Sequence, residues 1–137
     1  MYILDTNILS ELMRAQPSQQ VINWLDQQLA QDLYITAIIV AEIQLGIGLL
    51  PNGKRKQLLT QGATETLQDF DNNILSFDES SAEIYAVVVA QRTQEGRPIS
   101  VEDAQVASIA LANELVLVTR NVSDFDVVDG LEVFDPF

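Results

Sequence analysis

Five short apolar runs punctuate the chain, each separated from the next by stretches of helical periodicity. They are Tyr2-Ile3-Leu4, Leu33 to Thr36, Ile74 to Phe77, Leu115 to Val118 and Leu131 to Phe134. Runs this short read as strands. Between them, Ile8, Leu9 and Leu12 recur at helical spacing, and Pro17-Ser18 starts a helix carrying Val21, Ile22, Trp24, Leu25 and Leu29. A long apolar helix from Ala37 to Leu50 is stopped by Pro51-Asn52-Gly53, and a more polar one runs from Lys54 to about Phe70. Glu79 to Asn113 holds two helices split by Gly96-Arg97-Pro98, the second opening at Ser100, and a polar turn covers Ser123 to Asp126. Strands alternating with helices predict crossover units. The expected fold is therefore α/β: a parallel five-stranded sheet with helices on both faces, in one domain spanning residues 1–137. In such sheets ligands gather outside the carboxyl ends of the strands, where the strand order reverses. With the order 3-2-1-4-5, Asp5 and Thr119 face one cleft.

Composition narrows the chemistry. The chain has no Cys and no His, so thiolate and imidazole nucleophiles, disulfides and Cys- or His-ligated metals are excluded. It has 20 acidic against 7 basic residues, a formal net charge of −13. That exceeds the magnitude of about 2–8 usual for a small domain, and self-repulsion of this size calls for a cation or a basic partner. Taken alone, the sign opposes a nucleic-acid ligand. No apolar run reaches the ~20 residues of a membrane span, and Asp5 interrupts any signal-peptide pattern, so a cytoplasmic protein is expected.

Each acid has a bland reading beside a functional one. Asp5 closes the first strand and is placed either to cap the following helix or to bind a metal. Glu42 lies between Ile38, Leu45 and Leu49 on an apolar helical face, where a carboxylate needs a cation. Asp103 stands three residues after Ser100, the spacing of a capping box, while its neighbour Glu102 reads as solvated. Asn121 and Asp124 follow strand four, where they suit Asx turns as well as a site. Jointly, three separate elements each offer an acid. Clustered carboxylates repel one another unless a divalent ion neutralises them, and all-oxygen donors suit Mg²⁺ or Mn²⁺. Such ions polarise phosphoryl oxygens and lower the pKa of bound water, which is the chemistry of phosphodiester hydrolysis.

The segments ILDTN with SELM behind it, YITAIIVAEIQLGIG, GRPISVEDAQVASIA and VTRNVSDF, in this order, resemble the PIN-domain ribonucleases, and within them the VapC-type and FitB-type toxins of toxin–antitoxin pairs. The resemblance spans essentially the whole chain. It implies a PIN-like fold and metal ligation by Asp5, Glu42 and Asp103, with Asn7 and Thr119 as supporting polar groups. Some relatives carry an acid at the position of Asn121; here the acid stands at Asp124, implying a role through water or behind the ligands. It further implies Mg²⁺-dependent endonucleolytic cleavage of RNA, a homodimer, and a small antitoxin with a DNA-binding N-terminal part and a basic C-terminal tail.

The candidates for RNA phosphate contact are Arg14 and Arg120, which follow the site segments, and Lys54-Arg55-Lys56, where the helix dipole disfavours positive charge. The apolar stretches Leu45 to Leu49 and Ala86 to Ala90 are expected in the core by default, with a dimer interface as the alternative. Two other function classes remain open: a phosphorylated receiver using Asp78, and a PIN-like scaffold or DNA-regulatory partner.

Overall fold

Three residues of β-structure starting at Tyr2 organise everything else. In a computed structural model that describes residues 1–137, β1 (Tyr2–Leu4) pairs in parallel with β2 (Leu33–Thr36) on one side and β4 (Val116–Val118) on the other. The short β3 (Ile74–Leu75) extends the sheet beyond β2, and β5 (Val133–Phe134) extends it beyond β4. The order is β3-β2-β1-β4-β5, as expected from the sequence, and every pair is parallel. Around the sheet lie α1 (Thr6–Leu12), α2 (Gln19–Asp26), α3 (Ala37–Gly48), α4 (Lys54–Gln68), α5 (Glu79–Gln94) and α6 (Val101–Ala112).

Ile3, Leu4, Ile35, Leu117 and Val118 of the three central strands are fully buried with Ile8, Leu9, Ile39 and Ile109. A central strand covered on both faces cannot alternate, so these runs are continuously apolar. The core consequently ends abruptly at the carboxyl edge, where buried polar Asp5, Thr36 and Thr119 succeed the last apolar residues. No helix is long and apolar enough to cross a membrane.

Several expected boundaries move. α2 stops at Asp26, and Leu29 lies outside it, 62% exposed. Strand three ends at Leu75, two residues early, because its neighbour β2 ends at Thr36 and pairs with it through that residue. α3 buries Ile39 and Ile43 rather than the face expected from its apolar pattern. Leu45 and Leu49 are 63% and 76% exposed, so Glu42 sits at the border between a core-facing and an open apolar surface. Likewise Val87 is 67% exposed, and from Ala86 to Ala90 only Val88 is buried, so core packing accounts for Val88 and, in the other stretch, Ile47, but not for the exposed Leu45, Leu49 and Val87. The α5–α6 turn closes through Gly96 at φ +71, a left-handed conformation that suits glycine, with Arg97 N–H bonded to the Arg92 carbonyl at 2.9 Å.

Candidate functional site

Parallel pairing of Leu4 with Val118 brings the residues after the two strands together: the Asp5 N–H donates to the Val118 carbonyl at 2.9 Å. Asp5 caps the following helix, the first of the two readings the sequence offered, and its carboxylate also faces the cleft. Its carboxylate accepts from the Thr6 N–H at 2.9 Å on the first turn of α1, and its second oxygen accepts from Thr119 Oγ1 at 2.8 Å and Asn7 Nδ2 at 3.2 Å. Three donors leave roughly one of its four lone-pair positions free. The orientation is thereby fixed.

Thr119, fully buried, is the hub of this network. It donates to Asp5 and accepts from Asn7 Nδ2 at 3.0 Å and from the Asn121 N–H at 3.1 Å. Thr119→Val keeps the shape and removes the hydroxyl. It is expected to cost about 2 kcal/mol, the desolvation penalty of the stranded donors, and Thr119→Ser should retain most of it; chemical denaturation midpoints check both. Equal stability of the Val and Ser variants would show that the hydroxyl holds nothing.

Two further acids arrive from other elements. Glu42 projects from α3 toward α1 and accepts from Thr6 Oγ1 at 3.3 Å. Asp103 enters from the first turn of α6, whose cap Ser100 accepts from the Asp103 N–H at 3.1 Å. That is half of the expected capping box, since no bond returns from the carboxylate to the Ser100 backbone, and the acid is left for the cleft. Asp5, Glu42 and Asp103 line one open cavity of about 470 Å³ with Thr6, Asn7, Ser10, Glu11, Arg14 and Asn121, none of them hydrophobic. The two-helix crossover before β4 thus returns Asp103 to the edge where Asp5 stands.

All three carboxyls are held above their ordinary range. Burial is the largest cause for each, partly offset at Asp5 by the Thr119, Thr6 and Asn7 bonds. Mutual repulsion adds to it: Asp5 acts on both Glu42 and Asp103, and Asp124 acts on Asp5 and Asp103. As the side chains lie, no three acids stand close enough to chelate an ion. Asp5 is fixed by three donors, whereas Glu42 has one long bond. An all-oxygen donor set of carboxylates that repel one another, rimmed by hydroxyls and amides, has the donor chemistry that suits a hard divalent cation.

The remaining candidates divide. Asp124 is exposed on a 3-10 turn (Val122–Asp124) and does not line the cleft, although its charge reaches two acids that do. Glu102 is exposed, as expected. Arg14 is in the cleft, paired with Glu11 at 3.1 Å. Arg120 lies over the Phe137 ring at 4.4 Å instead, and contributes its backbone N–H to Asn7 Oδ1 at 3.0 Å. Lys54 is exposed and Arg55 lines a neighbouring groove. Lys56 donates to the Gly48 and Leu50 carbonyls, both at 3.2 Å. A charge disfavoured at the start of α4 is thus favoured at the end of α3.

Two residues of the site were not legible as such. Glu11 is buried, with its carboxyl held below the usual range chiefly by the Ser18 N–H at 2.7 Å; its sequence signal was its place in the SELM segment, where it was not read as a site residue. Arg92, also buried, donates to the Arg97 carbonyl at 2.6 Å and the Asp124 carbonyl at 3.1 Å, joining the segment before α6 to the Asp124 turn. Asp78, the residue a receiver would phosphorylate, instead caps α5 through the Ser81 N–H at 2.9 Å, after a strand at the sheet edge. It lines no part of the cleft.

The PIN domain family model matches residues 2–131. The chain is 38% identical to toxin FitB of Neisseria gonorrhoeae over 138 aligned positions, covering 100% of this chain and 99% of that protein. It is 35% identical to VapC ribonuclease Y4jK of Sinorhizobium fredii, with 100% and 98% covered. A solved structure of FitAB bound to the IR36 DNA fragment superposes with a TM-score of 0.90 at 39% identity, covering 99% of this chain and 95% of that one.

Proposed function

This chain belongs to the PIN-domain family, and we propose that it is the toxin of a toxin–antitoxin pair, acting in the cytoplasm as a Mg²⁺- or Mn²⁺-dependent endoribonuclease. The observation that carries this reading is the convergence of Asp5, Glu42 and Asp103, from β1, α3 and α6, on one cleft without a hydrophobic residue. The similarity to toxin FitB and to a VapC ribonuclease supports the biological role and the RNA substrate.

Asp5, Glu42 and Asp103 are the residues to hold the ion, with Asp124 acting through water. A bound Mg²⁺ or Mn²⁺ supplies Lewis-acid polarisation of a phosphoryl oxygen and lowers the pKa of water, so the chain needs no nucleophile of its own. Thr119 and Asn7 keep the first carboxylate in one orientation. Arg14, held by Glu11 at the cleft wall, offers its remaining donors to a phosphate.

The partner is a small antitoxin with a DNA-binding N-terminal part and a basic tail. FitAB on DNA supports a DNA-bound complex. A tethered guanidinium among the same carboxylates satisfies them as an ion does. The exposed Leu45, Leu49 and Val87 give an apolar surface suited to a homodimer.

The test is digestion of single-stranded RNA by the purified chain in Mg²⁺ or Mn²⁺, with EDTA as the control. Internal cuts that cease in EDTA and return with excess ion are expected. Cleavage unaffected by EDTA, or no cleavage with any divalent ion, would count against the assignment.

A further inference from the structure

A second groove opens directly beside the acid cleft and shares Thr6, Ser10, Arg14 and Glu42 with it, yet its chemistry is different. It encloses about 610 Å³, within the roughly 300–1,000 Å³ of small-molecule sites. Ile43, Gly46 and Ile47 of α3 and Leu59 of α4 form an apolar floor, and Arg14 and Arg55 stand on it as the only cations. Arg55 makes no ion pair, and Arg14 is tied only to Glu11. In a chain of net charge −13, two of seven basic side chains border this one groove.

Gly46 has a telling position. Glycine is the least favourable residue after proline in a helix interior. A Cβ built there meets nothing within 4 Å, and the backbone has no positive φ to require glycine. Neither strain nor crowding accounts for it. What sets Gly46 apart from Gly62, which also has open space for a Cβ, is that Gly46 lines the groove.

We propose that this groove seats one unstacked nucleotide of the RNA flanking the scissile bond, its base on the Ile43, Gly46 and Ile47 floor and its phosphates on Arg14 and Arg55. The inference rests on the ribonuclease reading and adds a base-binding subsite to it. Continuity with the cleft puts the groove where the strand must run. Charge favours this occupant: Arg55, which has no ion pair, and the remaining donors of Arg14 attract a phosphodiester and repel a basic peptide tail, against the one carboxylate, Glu42, on the wall shared with the cleft.

The experiment uses a single-stranded RNA with a mapped cut and versions of it made abasic at one position at a time. For the unmodified protein, loss of one base next to the cut should raise KM about tenfold with kcat little changed, the scale of burying one base face on an aliphatic floor. Gly46→Leu should raise KM for intact RNA by a similar factor and abolish sensitivity to that abasic position. Arg55→Gln should raise KM for every version. Gly62→Leu, on α4 where a Cβ also meets open space, should change nothing. An unchanged KM for Gly46→Leu, or a raised KM that still responds to the abasic position, overturns the proposal. So does a Gly46→Leu protein that cleaves normally but binds the antitoxin more weakly, which would make the groove a protein-binding face. If the unmodified protein cuts no RNA, the ribonuclease reading fails separately. The groove is then judged by fluorescence anisotropy with the labelled intact and abasic RNAs, where equal affinities of the unmodified and Gly46→Leu proteins overturn it.

Discussion

Asp103→Asn is expected to lower kcat/KM for RNA cleavage by about 10³-fold, equivalent to roughly 4 kcal/mol of transition-state stabilisation. The substitution is nearly isosteric and removes only a charge. Its helix cap is untouched, because Ser100 accepts from the backbone N–H and not from the side chain. The fold should therefore survive, and the ion-free protein should gain stability, since the charge lost is penalised first by burial and then by repulsion from Asp5, Asp124 and Glu102. Asp5→Asn should be as damaging to cleavage but less benign to the fold: three donors converge on that carboxylate, and an amide turns its own NH₂ against one of them. Glu102→Gln is the control. It removes the same charge one residue away, on an exposed side chain outside the cleft, and should stay within about threefold, as screened surface charges do. Undiminished cleavage by both the Asp5 and Asp103 variants would remove the proposed mechanism; an equal loss in Glu102→Gln would shift the cause to net charge.

Much of this was readable before any coordinate, and the boundary between readable and unreadable has a physical cause. The strands announce themselves because a sheet buried on both faces leaves no room for polar residues, so Ile3-Leu4 and Leu117-Val118 are continuous and the acids after them stand out. Glu42 was legible as an acid on an apolar helical face, whereas Asp5 and Asp103 each had a capping reading as well, and the resemblance to the PIN-domain ribonucleases is what joined the three. The face of α3 was not legible. Its apolar residues surround the helix, and periodicity cannot choose between the side packed on the sheet and the side with Leu45 and Leu49, left open here. Lys56 and Arg92 were unreadable because their partners are backbone carbonyls, of Gly48 and Leu50 and of Arg97 and Asp124, and carbonyls carry no sequence signature. The Arg55 groove depends on α3 lying against α4, a tertiary contact that local pattern does not specify.

Ion-free protein is expected to become more stable as the pH falls from the neutral side through the raised folded values of its cleft carboxyls, the reverse of what paired surface carboxylates would give. Asp5, Glu42 and Asp103 all have folded values above the ordinary ones, near 4 for unfolded chains. On acidification the folded state therefore binds protons while the unfolded chain is still ionised. Stability rises across the interval between the raised folded values and about 4, and below it the gain is complete. Glu11 and Asp78 act oppositely. Their folded values are depressed by the Ser18 and Ser81 N–H groups, so their contribution is present above the ordinary range and lost below it. Together these place the stability maximum on the acid side, with a decline below about pH 4. A divalent ion should reverse the picture at pH 8, because it binds the ionised carboxylates that burial and repulsion penalise. At a hundred times its Kd the gain is about 2.7 kcal/mol, worth several degrees in Tm for a chain of this size. EDTA should return the original profile, and NaCl at matched ionic strength should not reproduce it, since screening acts weakly on half-buried charges. In Asp103→Asn both the acid-side gain and the ion-induced gain should shrink together. A Tm that falls steadily from pH 8 downward and ignores Mg²⁺ would show that the three carboxylates do not share the electrostatic burden assigned to them, even if each lines the same cleft.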